Sequence, residues 1–141
     1  MSLLKKIVDN YMRMTPGLKE HCDRCLKTER WGGNVVLMVV DAAFTSIGLN
    51  YFTAVAPKVN EFNKKFIENG KIKNLKDLAK SDIDALREVW KNKRSWITAK
   101  KTASCLSTLS ANDKTALRTW AKNAKLENWR EDVIGKIKGV G

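Results

Sequence analysis

The chain has 141 residues, of which 43% are hydrophobic and 30% charged, with only two prolines. This is enough apolar material to bury a core and too much for a disordered chain. Lys and Arg outnumber Asp and Glu by 27 to 15, a formal charge of +12, and the excess sits mainly in residues 71–141, which carry seventeen basic against eight acidic side chains. Such a bias favours a polyanion as partner over a merely solvated basic surface.

Apolar residues recur at three or four positions throughout, and no stretch alternates as a strand does, so the pattern predicts an all-α protein. Ser2 caps a first helix that presents Leu3, Leu4, Ile7, Val8, Tyr11 and Met12 on one face. Pro16-Gly17 ends it. A second helix over 18–28 buries Leu18, Cys22, Cys25 and Leu26. Asn34 caps a third over 35–45, apolar on almost every side and so central to the fold. Gly48-Leu49-Asn50 forms a turn, and Phe52, Val55, Val59, Phe62 and Phe66 mark the next helix, with Pro57 kinking or tightening its first turns and Asn69-Gly70 at its end.

Asn74 opens a short helix holding Leu75 and Leu78. Ser81 with Asp84 reads as a capping box for a helix burying Ile83, Leu86, Val89 and Trp90. A basic turn, Lys91 to Arg94, leads into a helix through Ile97, Ala103, Leu106 and Leu109. Ser110 with Asp113 repeats the cap pattern before Leu117, Trp120, Ala121 and Ala124. A last helix carries Trp129, Val133, Ile134 and Ile137 and runs into Gly139-Val140-Gly141.

The longest apolar run, Val35 to Leu49, is broken by Asp41 and too short to span a bilayer. No cleavable signal peptide is expected, because the basic N-terminus precedes an amphipathic stretch. Three cysteines without framework spacing suggest a reducing, cytoplasmic setting. His21-Cys22-Asp23-Arg24-Cys25 contains C-x-x-C, but zinc needs four ligands and only Cys105 remains as a further thiol. The expected role of Cys22 and Cys25 is therefore as small core residues, with no metal and no cofactor.

Asp41 either hydrogen-bonds within the core or faces a pocket. Lys91, Lys93, Arg94, Lys100 and Lys101 cluster around one turn, where they would meet phosphates or simply be solvated. Of the five tryptophans, Trp90, Trp120 and Trp129 lie in phase with core positions. Trp96, beside the basic turn, is the best candidate to stack on a base. At the tail, Ile134-x-x-Ile137-x-Gly139-Val140-Gly141 has the spacing of a helix that ends in a tight hairpin, with glycines where backbone amides would hold a phosphate. Lys138, Gly139 and Gly141 join the DNA-binding candidates on this ground.

Three further pieces occur in order: Asp41-Ala42-Ala43-Phe44-Thr45-Ser46 followed by Asn50; Lys73 to Ala79 followed by Ile83-Asp84-Ala85-Leu86; and Ser95-Trp96-Ile97-Thr98-Ala99-Lys100-Lys101. With the tail, they resemble the front part of the helix-hairpin-helix DNA glycosylase superfamily, the endonuclease III-like enzymes. The resemblance covers about three quarters of the chain, residues 35–141. Two departures stand out: Lys93-Arg94-Ser95 replaces a turn that usually holds a glycine, and Ala43 stands where the family has a polar intercalating residue.

The resemblance implies a six-helix-barrel lobe over 31–141, incomplete at the hairpin, with residues 1–30 as N-terminal helices of an adjoining lobe. It implies a base-excision DNA-repair glycosylase, with or without lyase activity, acting on double-stranded DNA, with Asp41, Ala43 and Thr45 at a pocket. The family's catalytic Asp and Lys, and the four-cysteine iron–sulfur cluster of some members, correspond to nothing in these residues. A missing return helix would leave apolar surface exposed, to be covered by homodimerisation or by rearrangement of the last helix. The alternatives are a non-enzymatic basic helical module that binds nucleic acid, and a helical interaction protein whose charge serves solubility alone.

Overall fold

The computed structural model describes residues 2–27 and 29–140, and among them every regular element is helical. The expected all-α class is therefore observed. No helix among these residues is long and apolar enough to cross a membrane. The chain divides into two compact units, Met1–Asn34 and Val35–Gly141.

The first unit holds α1 (Leu3–Met14) and α2 (Leu18–Leu26). Ser2 caps α1 by accepting from the Lys5 amide at 3.4 Å. Gly17, at φ 81°, takes the left-handed turn that lets α2 begin. Neither helix buries a residue. The expected burial of Leu18, Cys22, Cys25 and Leu26 fails: Leu26 is 84% exposed and both cysteines are exposed. The four do share one face at helical spacing, but neither α1 nor α2 buries a residue, so within the first unit no packed apolar layer covers that face.

The second unit is built around α3 (Val35–Thr45), eight of whose residues are buried. Gly48, at φ 77°, turns the chain, and Asn50 accepts from the Thr53 amide at 3.1 Å. The long apolar period that follows is one continuous helical rod of three parts: a π turn over Tyr51–Val55, α4 (Ala56–Phe62), and a second π turn over Asn63–Ile67. Pro57 sits at the start of α4, where its missing N–H costs least. The turns before it are thus widened, not tightened. Val55, Val59, Phe62 and Phe66 are buried as their period requires, while Phe52 is 78% exposed.

Asn74 caps α5 (Leu75–Lys80). The one-turn α6 (Ile83–Leu86) is capped by Asp82, which accepts from the Ala85 amide, and not by Ser81, whose hydroxyl instead donates back to the Asp77 carbonyl. Asn92 caps α7 (Lys93–Ser107), and Asn112, not Ser110, caps α8 (Asp113–Asn123). Asp113 spans to α5 by accepting from the Leu75 amide at 3.1 Å.

The densest packing is aromatic. Phe44 of α3 stacks on Trp90 with ring centroids 4.2 Å apart and meets Trp96 of α7 edge-on at 5.0 Å; Phe62 packs against Trp96 at 5.6 Å. These contacts lock α3, α4 and α7 together. After α8 the expected last helix is absent. Trp129–Glu131 form a single 3₁₀ turn, and residues 132–140 continue as a chain of turns. Gly135 and Gly139 are poor helix formers, and Asp132 draws the local amides into other bonds.

Candidate nucleic-acid interface

Sequence places five cations about the start of α7, and helix geometry sorts them. At 100° per residue, Arg94 and Lys101 fall within about 20° of each other, as do Lys93 and Lys100, and the two pairs are about 100° apart. They form two strips flanking the exposed face of the helix. None of these four, nor Lys91, forms an ion pair among the described residues. A helix that starts with Lys93 and Arg94 and has no acid in its first turn opposes its own dipole. An anion near that end would relieve the conflict.

One strip meets the tail. Thr98 lies on α7 one turn after Arg94 and one turn before Lys101. Its hydroxyl donates to the Lys138 carbonyl at 3.4 Å. Gly139 takes φ 100°, and a Cβ there would stand 2.5 Å from the Thr98 hydroxyl oxygen. The glycine is thus required both by the bend and by its approach to α7. The Lys138 carbonyl and Gly139, far apart in sequence from α7, thus dock on the threonine that lies one turn from both Arg94 and Lys101. Lys93 and Lys100 stand on the other strip. Gly141 lies outside the described residues.

One expectation is corrected here. Trp96 is completely buried, and its indole N–H donates to the Trp90 carbonyl at 2.7 Å. It packs the core and has no face left for a base. Ala43 is also buried, at 5% exposure, because it points from α3 toward α7 and α8. It cannot wedge into a duplex. Of the expected pocket residues Ala43 lines the apolar cavity of the second unit, whereas Asp41 and Thr45 do not and bond to each other. The Asp41 carboxylate is buried and accepts from the Tyr51 hydroxyl at 2.9 Å and the Thr45 hydroxyl at 3.2 Å. It reads as a polar tie between α3 and the turn that follows. Thr45 itself is exposed, and its hydroxyl also donates to the Asp41 carbonyl.

The apolar cavity of the second unit has a volume of about 480 Å³. Ala42 and Ala43 of α3, with Ser46 just past its end, face Thr98 and Thr102 of α7 across it, and Trp120 and Trp129 form its far wall. The two indoles meet edge-on with centroids 6.3 Å apart. Their placement agrees only in part with a core role, since both are half-buried. Small residues on two facing helices are the trace this cavity leaves in the sequence.

The wall is fixed by a residue that helical periodicity does not single out. Asp132 is buried and accepts four hydrogen bonds: from the Trp120 indole N–H at 2.9 Å, the Lys125 amide at 2.9 Å, the Ile134 amide at 2.9 Å and the Gly135 amide at 3.3 Å. Burial pushes this carboxyl up, but the four donors together outweigh it and hold it at about 2, below the usual 3.8. Gly135 has its own constraint, because any Cβ there would collide with the Trp129 carbonyl and ring. Asp132 thus ties the end of α8 to the tail that carries Lys138 and Gly139.

Comparison with known proteins returned no matching family, no matching curated protein and no matching solved structure.

Proposed function

We propose that this chain grips duplex DNA through its phosphates and serves as a helical lobe of a base-excision DNA glycosylase. The observation that supports the reading best is the meeting of the tail with α7. Arg94 and Lys101 flank the threonine on which the Lys138 carbonyl and Gly139 dock, so cations and a positive-φ glycine gather about one threonine. Cations supply affinity without sequence information, and an amide at a tight bend can approach a phosphate closely. Base removal further requires a carboxylate or amine at the flipped sugar. Asp41 and Asp132, the buried carboxylates of the second unit, are both engaged within the fold. DNA binding, and not the chemical step, is therefore the part assigned to the residues described.

The test is duplex binding followed by fluorescence anisotropy across a salt series. Binding should weaken steeply with salt, and Arg94→Ala, Lys101→Ala and Lys138→Ala should each reduce the logarithmic salt slope by about 1. Absence of salt-dependent binding overturns the reading. A glycosylase lobe should also prefer a duplex with a mispaired base, whose extrusion costs less, over a fully paired one. Equal affinity for both would favour a non-enzymatic nucleic-acid-binding module. The open apolar cavity supports a companion proposal, self-association through the Trp120 and Trp129 wall. Sedimentation at the monomer mass at every concentration would exclude it.

A further inference from the structure

The C-x-x-C of α2 is left without a role once its core placement fails. Both thiols are exposed, and among the described residues no group of three or more metal-ligating side chains gathers anywhere. What two exposed thiols on one helix offer is thiol chemistry. Positions i and i+3 of an α-helix lie about 60° apart around the axis, with Cα atoms about 5 Å apart. That separation falls inside the window of about 4.4–6.8 Å that a disulfide spans. Cys25 is the last residue but one of α2, and the Lys27 amide closes the helix on the Asp23 carbonyl at 3.1 Å. Ring closure must draw the two Cβ atoms somewhat closer than the helix sets them, and a terminal turn can adjust at the cost of few hydrogen bonds.

We propose that Cys22 and Cys25 form a surface dithiol that closes to an intrahelical disulfide by exchange with small-molecule disulfides. With oxidised glutathione, one cysteine thiolate attacks a glutathione sulfur, forming a mixed disulfide and releasing one glutathione. The second cysteine then attacks the protein sulfur of that mixed disulfide and releases another. The protein loses two hydrogens and two electrons, and one glutathione disulfide becomes two thiols. The second step is intramolecular and so outruns addition of a second glutathione.

Cys105 provides an internal reference. It is only partly exposed, its thiol donates to the Val133 carbonyl at 3.6 Å, and burial, with the nearby Asp132 charge, pushes its pKa up. It should be the slowest of the three to react.

The experiment treats the reduced, intact protein with oxidised glutathione, quenches in acid and reads mass and tryptic peptides. Trypsin cuts after Arg24, between the two cysteines. The closed ring therefore appears as two peptides joined by a disulfide, alongside an unmodified Cys105. Cys22→Ser should instead halt at a stable glutathione adduct on Cys25, with circular dichroism confirming that helix content is unchanged. A wild-type product carrying glutathione stably on both Cys22 and Cys25 would overturn the proposal, as would Cys105 reacting as fast as the pair.

Discussion

The core between α3, α4 and α7 and the stretch that follows α8 are held by different forces. The first rests on area: Phe44, Phe62, Trp90 and Trp96 interlock over a surface from which water is excluded. The second rests on direction: four donors converge on Asp132, and Gly135 and Gly139 let backbone and side chains pass where a Cβ would not fit. Burial of apolar area is indifferent to pH and tolerant of small shifts. A satisfied carboxylate node is sensitive to both. The proposed phosphate surface spans the two regimes, since Arg94 and Lys101 stand on the apolar core's helix while Lys138 and Gly139 depend on the polar node.

The largest effect expected is that of Trp96→Ala. It removes a fully buried side chain and leaves the Trp90 carbonyl without its donor. A cost of about 3–5 kcal/mol in chemical denaturation is expected. A loss below about 1 kcal/mol would show that Trp96 is not buried and would return it to the surface as a stacking candidate.

Asp132→Ala comes next. It strands the Trp120 indole N–H and three backbone amides, at a cost of about 2–4 kcal/mol. Because the folded carboxyl sits at about 2, below its usual 3.8, its contribution is fully present above the unfolded value and is lost as pH falls through the folded one. Between pH 5 and pH 2 the wild type should thus lose stability more steeply than Asp132→Asn, measured by urea unfolding at each pH. Parallel curves for the two proteins would remove Asp132 from the node.

This difference in force also explains what could be read from the chain beforehand. The all-α class, the central α3 and the Val55, Val59, Phe62, Phe66 face follow from periodicity, because area burial repeats with the helix. The Asn50 and Asn74 turns follow from side-chain chemistry that acts within three residues. The basic cluster was legible as charge, but its division into two strips, and the docking of Lys138 and Gly139 beside only one, needed the fold. The burial of Trp96 needed the fold too, because adjacency to Lys93 and Arg94 in sequence says little about which way a helical side chain points. Asp132 leaves no periodic trace, since its partners are a ring nitrogen twelve residues back and amides on either side of a turn.

Gly135→Ala probes the same node through sterics. The added methyl must displace the Trp129 carbonyl, and with it the wall of the cavity. A cost of about 1–3 kcal/mol is expected. The perturbation should appear as a changed Trp emission spectrum, since Trp129 and Trp120 are the indoles beside it. Retained stability with an unchanged spectrum would mean that the tail rearranges freely around position 135.

The smallest effect separates the two accounts of the tail most cleanly. Read as a helix, residues 129–137 would turn Val133, Ile134 and Ile137 toward a common apolar layer, and truncating Val133 would empty part of it. In the observed chain of turns Val133 is 47% exposed while Ile134 is 6% exposed. The backbone reverses that relation because Asp132 accepts from the Ile134 and Gly135 amides, which swings residue 134 inward and leaves 133 at the surface. Val133→Ala should therefore change stability by less than about 0.5 kcal/mol. Ile134→Ala, one position on, should be clearly destabilising because it leaves a void among buried neighbours. Equal penalties at the two positions would restore the helical tail, and with it a surface in which Lys138 and Gly139 no longer stand beside Arg94 and Lys101.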